Sequence, residues 1–533
     1  MKMKMPSFFQ KLGDAFLSLA CVATLSATEC DWEKINRQAF EHSLVPVALP
    51  ERDHIPYWNM NARQFIMPPA FNAPEVPDAT EYLFTLRNSQ DAVIAEMKSA
   101  SPHTPLTEIW GTVPVGNFKI TITALDAQGT PLKEVFQREC YRAAWFHGPY
   151  PATSHDYRGA ALHSLEYIYN IPHVQAWLKD GTVDEKIYRK YCYPSKTLSA
   201  LIEGLLLYAD LNGTAEVKDK SLTIARKMAD WLIDNSCPEG TPLEFLPPTY
   251  WKYATYVNAK PNIGQIMMIY PPDVGNAYLL VYHRSGDKKY LDAAERIGRT
   301  MKKLELPGGS WKLKFHEKDG TALVDNIVLI TRDMVRFFNE LTEITGDKSF
   351  KEMSDRAYQR LLDHNLKLWD WDGQFEDVIP RPMYENLTKN HALKIALDCF
   401  DKNDKATALR IIDWTEDQFV VWDEPAPGMD LKPLPEWRYC TGLVIPMVVE
   451  QYLCNWPVDS SMGEVMSSWV KAYQNTGDPV YLEKAKAMGD ALLRNQRDDG
   501  SFPTWYFTTD LPDWLNCTVA TIKHLLLLDE ALH

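Results

Sequence analysis

Leu280-Val-Tyr-His-Arg-Ser-Gly286-Asp287-Lys-Lys-Tyr290-Leu-Asp-Ala-Ala294 is the stretch that decides the fold. An apolar helical segment runs into Gly-Asp. An aromatic stands three residues after the Asp, and a small residue seven after it. The same signature recurs as Gly346-Asp347, Phe350, Ser354 and as Gly477-Asp478, Tyr481, Ala485. Asn212-Gly213 and Asn403-Asp404 open weaker copies. Gly suits the left-handed end of one helix, and Asp caps the start of the next. Each copy therefore predicts a helical hairpin.

Apolar residues at helical spacing precede each turn, over Leu198–Ala209, Asn276–His283, Met334–Ile344, Ala392–Phe400 and Glu464–Tyr473. Partner helices start at Val217, Lys288, Lys348, Lys405 and Pro479, and Pro suits a first helical position. Hairpins of this size bury their apolar faces by stacking on their neighbours. Five copies and a possible sixth predict a closed ring. The segments His155–Tyr169 and Trp514–Leu528 are candidates to close it. The place of the apolar segment Cys440–Cys454 in such a ring stays open.

About 20 residues after each turn comes a loop rich in aromatics, acids, Gly and Pro. These loops start at Cys237, Pro307, Trp369, Trp422 and Asp498. The alternation of turn and loop puts all of them on one rim.

The 533 residues suffice for a large core and two domains. A net charge of −15 and the lack of any basic run argue against a nucleic-acid partner. The nine cysteines show no short Cys/His ligand spacing, so no metal and no other cofactor is expected. Residues 1–30 read as a signal segment: a Lys-containing start, then an apolar stretch from Ala15 to Ala27. This predicts export to the periplasm or outer surface of a bacterium. No other segment has the composition of a membrane span. Residues 31–77 read as an irregular lead-in. Residues 78–140 alternate, as in Asn117-Phe-Lys-Ile-Thr-Ile-Thr-Ala, and read as a small β-sandwich of immunoglobulin or fibronectin type. Residues 141–533 form the helical domain.

The densest chemistry lies in Trp369-Asp-Trp371-Asp-Gly-Gln-Phe-Glu376-Asp377, followed by Arg381, Tyr384 and His391. Aromatic faces stack on pyranose rings, and carboxylates bind hydroxyls or move protons. Glycoside hydrolysis needs two carboxyl groups across the bond, one of them held protonated. Glu376 is the first candidate. Asp377 beside it can equally cap a turn. Glu244, in Pro242-Leu-Glu-Phe, has an apolar setting that raises a carboxyl pKa. Glu436 lies beside Trp437 and Arg438, and Asp325 is a weaker candidate. Asp273 follows Tyr270-Pro-Pro, where an N-cap role competes with a role at the substrate. Trp369, Trp371 and Trp437 are the candidate sugar platforms. Arg332, Arg381, Lys389, His391 and Arg438 put cations at the same rim. They suit a uronic acid, because Arg pairs with carboxylates, or they neutralise the rim's own acids. His147 and His155 lie in a junction loop that can reach the rim or simply pack.

The hairpins, with loops such as Asp499-Gly-Ser-Phe-Pro and Trp371-Asp-Gly-Gln-Phe-Glu-Asp, resemble the (α/α)6-toroid glycan-active proteins, the six-hairpin glycosidases with their lyase and epimerase relatives. The resemblance covers about residues 141–533. It implies a mainly α protein: an (α/α)6 toroid preceded by a β-sandwich. The acidic loop is most similar to glucuronidase-like toroid hydrolases. No specific family motif is matched residue by residue, so no family catalytic residue is carried over onto this sequence. The expectation is a glycoside hydrolase on a uronic-acid-containing carbohydrate, acting through Glu376 with Glu244 or Glu436. A lyase using Tyr384 and His391 with Arg381, an epimerase, and a non-catalytic glycan-binding protein are the alternatives.

Overall fold

The computed structural model describes residues 30–323, 328–329, 332–371, 385–423, 444–452, 454–505 and 512–533. Among them, helices run α1 Trp32–His42, α2 Tyr157–Asn170, α3 Pro194–Asn212, α4 Ala215–Asp234, α5 Tyr270–Ser285, α6 Lys288–Leu304 and α7 Arg332–Thr345. They continue as α8 Lys348–Arg360, α9 Asn390–Asp401, α10 Lys405–Phe419, α11 Asp459–Thr476, α12 Pro479–Asn495 and α13 Leu515–Leu532.

The repeat turns do what their residues predict. Gly213, Gly286 and Gly477 adopt left-handed conformations that end α3, α5 and α11. Gly346 does so after α7, and Asn403 takes the same role after α9. Asp287, Asp347, Asp404 and Asp478 then cap α6, α8, α10 and α12, each carboxylate accepting a main-chain N–H of the new helix. Thr214 caps α4 in the same way.

The hairpins α3/α4, α5/α6, α7/α8, α9/α10 and α11/α12 pack side by side. The first helix of each packs on the first helix of the next, so α3, α5, α7, α9 and α11 form an inner wall. Helix α13 completes it, packing on both α11 and α3. Its outer partner is α2, from the opposite end of the helical region. The ring therefore closes with a hairpin whose two helices lie far apart in sequence, the pair of segments expected to close it. Close approach of inner helices depends on Gly275, where an added Cβ would lie 2.3 Å from the buried Phe337 ring. The short turns lie at one end. The described parts of the longer connections lie at the other, where the inner helices begin.

The strand region differs from the expected sandwich. The described strands β1 Gln64–Phe65, β2 Glu81–Arg87, β3 Val93–Ser99, β4 Gly116–Leu125 and β5 Pro131–Arg142 form one five-stranded sheet, ordered β1-β5-β4-β2-β3. Alternation in β2 and β4 buries Phe84, Leu86, Ile120 and Ile122, as their pattern predicts. The same core holds Phe65, Met67, Phe71 and Trp110, which come from the lead-in and a short helix at Thr107–Trp110. No second facing sheet occurs among the described residues of this region.

The lead-in is also more ordered than its Pro and polar residues imply. Helix α1 is capped by Asp31 and packs on α12. β1 pairs in parallel with β5. The buried Asp417 of α10 accepts the Ile66 and Met67 amides at 2.6 and 2.7 Å, fastening the lead-in to the ring. No described helix is long and apolar enough to cross a membrane. Residues 1–29 of the expected signal segment lie outside the described residues.

Candidate active site

Each inner helix brings a charged side chain to the ring's interior, near the end where the long loops lie. Asp273 and Asp333 stand in the first turns of α5 and α7. Lys394 and Glu464 stand about a turn into α9 and α11. Glu203 and Lys523 lie deeper, in α3 and α13. Lys394 Nζ contacts Asp333 Oδ2 at 2.6 Å, joining α9 to α7. Lys523 Nζ contacts Glu203 Oε1 at 2.7 Å, joining α13 to α3. Arg336 is 3.8 Å from Asp333. These groups are surrounded by helices, yet the Glu203 and Lys523 side chains keep 39% of their exposure. This cluster inside the ring is the axial site, and water reaches its Glu203 and Lys523 side chains.

Their environments drive the two aspartates apart. Burial, then the negative charge of Asp333, pushes Asp273 up to about 7, with Lys394 opposing. Burial would also raise Asp333, but Lys394, Arg336 and His391 hold it well below the usual carboxylate range. Burial would lower Lys394, but Asp333, Glu464 and Asp273 keep it firmly charged. Burial raises Glu464 against Lys389 and Lys394, and its Oε2 is buried with no hydrogen-bond partner. Near pH 6 the site thus holds a protonated Asp273 facing an ionised Asp333. Two carboxyl groups split in this way have the protonation states that acid–base chemistry requires.

A strand at Met447–Gln451, paired with Val420–Val421 and Cys454–Pro457, lies over this end of the ring. It belongs to the apolar segment that the sequence left without a place. The buried Lys389 fastens it, donating to Val449 O, Glu450 O and Ser461 Oγ at 3.1, 3.0 and 2.6 Å. The Glu450 carboxyl is raised by burial, partly offset by Lys389 and Lys196.

Of the residues singled out in sequence, Asp273 and His391 reach the axial site. Asp273 is not an N-cap: α5 begins at Tyr270, so Asp273 stands inside its first turn. Three expectations are corrected. Glu244 lies on the outer wall, where the Lys303 ammonium and then the Gly240 amide hold its carboxyl below the usual range rather than above it. Trp369 and Trp371 are 1% and 2% exposed. They pack edge-to-face with each other, and Trp369 also meets Tyr57 and Trp414, so they are core and not sugar platforms. Arg332 Nε binds Asp398 at 2.7 Å and ties α7 to α9, not a substrate to the rim. His155 packs against Asp490 and Tyr157. Asp325, Glu376, Asp377, Arg381, Tyr384, Glu436, Trp437 and Arg438 lie outside the described residues. Among the described residues, no group of three or more His, Cys, Asp or Glu is placed to hold a metal ion.

The sequence reading missed Asp333, Lys394, Glu464, Glu203 and Lys523. Their signal was present but faint. Each is a charge within the first three turns of the inner helix of a hairpin, in an apolar helical pattern.

No family model matches the chain, and no curated protein matches it. Among solved structures it is similar to a family 76 glycoside hydrolase from a bovine Bacteroides thetaiotaomicron strain, with 10% identity, 84% of this chain and 93% of that one covered, and a TM-score of 0.41. It is also similar to a D-mannose isomerase, at 10% identity, 72% and 100% coverage and a TM-score of 0.47. A cellobiose 2-epimerase from Bacillus thermoamylovorans gives 13% identity, 69% and 99% coverage and a TM-score of 0.44. At these values nothing about the chemistry of this chain follows from them.

Proposed function

We propose that the chain is a glycoside hydrolase that cleaves a uronic-acid-containing poly- or oligosaccharide at the axial site. One observation carries this reading. Two carboxyl groups stand in the first turns of the neighbouring inner helices α5 and α7 and act on each other electrostatically, with Asp273 held protonated and Asp333 held ionised. Asp273 is the general acid that protonates the leaving oxygen. Asp333 is the base or nucleophile on the other side of the bond. Lys394 keeps Asp333 ionised, and Glu464 is a further proton carrier in the same space. Glu376, Asp377, Arg381 and Tyr384 precede α9 in the chain, and Glu436, Trp437 and Arg438 precede α11. In this reading they belong to the substrate-binding rim. Residues 1–30 direct export, which suits a polymeric substrate.

The test is incubation with a panel of uronic-acid oligosaccharides, following reducing ends and near-ultraviolet absorbance together. New reducing ends without absorbance support hydrolysis. Absorbance rising with cleavage means β-elimination and overturns it. Binding without turnover across the panel also overturns it, in favour of a glycan-binding role.

A further inference from the structure

Lys190 lies in the short turn Arg189–Cys192 that leads into α3, an inner helix of the ring. It is 0% exposed, and its Nζ has no hydrogen-bond partner. Three aromatic rings surround it instead. The centres of Trp514, Tyr256 and Trp505 lie 3.9, 5.2 and 5.4 Å from Nζ. Lys196, in the first turn of α3, places its own Nζ 4.2 Å from the centre of the same Trp514 ring. Two ammonium groups thus share one indole at the start of a 19-residue helix. Lys196 also acts electrostatically on Glu450, in the strand that Lys389 fastens beside the starts of α9 and α11.

Aromatic faces attract a cation but offer no acceptor for its N–H groups. A buried ammonium without an acceptor is costly to the folded protein. Here burial lowers Lys190 to about 7. A ligand that brought a carboxylate or sulfate under these rings would satisfy the donors and restore the charge. The aromatic walls would at the same time fit the apolar face of a sugar.

We propose that Lys190 and Lys196, with the rings of Trp514, Tyr256 and Trp505, form a subsite for the anionic group of an acidic sugar. This rests on reading the axial space as a glycan site, and it assigns recognition of the acid to residues apart from the reacting carboxyl groups. Ligand entry requires the rings over Lys190 to turn aside.

The test is titration of the full-length protein with D-glucuronate, D-glucose 6-sulfate and D-glucose, read by calorimetry. The wild type should bind at least one of the two anionic sugars about tenfold more tightly than glucose, and which one it prefers distinguishes carboxylate from sulfate. Lys190→Met and Lys196→Met should each reduce that preference to threefold or less, with glucose binding unchanged. Thermal melting of both variants separates loss of the subsite from loss of fold. A merely structural Lys190 would lower the melting temperature and leave the preference intact. Absence of any preference in the wild type, or its survival in both variants, overturns the proposal. If the preference depends on the lysines but no glycan is turned over, the subsite stands and the hydrolase reading falls. If neutral oligosaccharides are cleaved and no anionic preference exists, the subsite and the uronic-acid assignment fall, and hydrolysis at the axial site stands.

Discussion

Lys394→Met removes the charge that organises the axial site while keeping most of the side-chain volume. The ammonium lies 2.6 Å from Asp333 and also acts on Asp273 and Glu464. At an effective dielectric of about 20, such a pair has a gross Coulomb energy of about 6 kcal/mol. The lysine side chain is 35% exposed and the aspartate 17%, so solvent screens much of this. A net effect of about 1–3 kcal/mol remains, equivalent to about one to two pKa units. Asp333 should therefore titrate higher in the variant. Asp273 should rise as well, because Lys394 now opposes its upward shift. The assay is the pH profile of kcat/KM on a cleaved oligosaccharide. In the wild type the basic limb should fall near 7, where Asp273 loses its proton, and the acid limb well below pH 4. In Lys394→Met both limbs should move up, the acid limb by about one to two units. Limbs that stay in place, or move down, refute the assignment of Lys394 as the group that splits the two aspartates.

Other outcomes follow from the same geometry. Asp273 has a folded pKa raised above its unfolded value, so the stability it contributes is full below about pH 4 and is lost as pH rises to about 7. Asp273→Asn should therefore gain melting temperature relative to the wild type across that window, and a constant difference between the two would contradict the shift. Trp369→Ala should cost about 3–5 kcal/mol in denaturant unfolding, as expected for a large buried aromatic, whereas a rim platform would lose substrate affinity at unchanged stability. Glu244→Gln should leave kcat and KM unchanged, because its partners Lys303 and Gly240 lie on the outer wall.

The ring was legible because its turns are local. Gly286-Asp287 ends one helix and caps the next within two residues, so the hairpin is written into a few adjacent side chains. Closure by α2 and α13 was readable only as the pair of helices left over. The axial site was mostly hidden, because its partners come from different repeats. Asp333 meets Lys394 across 61 residues, and Glu203 meets Lys523 across 320. Each alone reads as one charge on a helix. Trp369 and Trp371 misled for the opposite reason. Alternation with acids looks like a sugar platform, and only the positions of Tyr57, Trp414 and Arg410 make Trp369 core. Likewise, alternation in β2 and β4 announces one buried face but not its cover, which here includes lead-in residues in place of a second sheet.

The most direct test compares turnover of the wild type, Asp333→Asn and Asp273→Asn on the best substrate of the uronic-acid panel, with melting curves to establish that each variant folds. Axial catalysis predicts that either substitution lowers kcat by a hundredfold or more, of the order that general acid–base groups supply. Folded variants that both retain near-wild-type kcat would contradict it and move the chemistry to the rim loops.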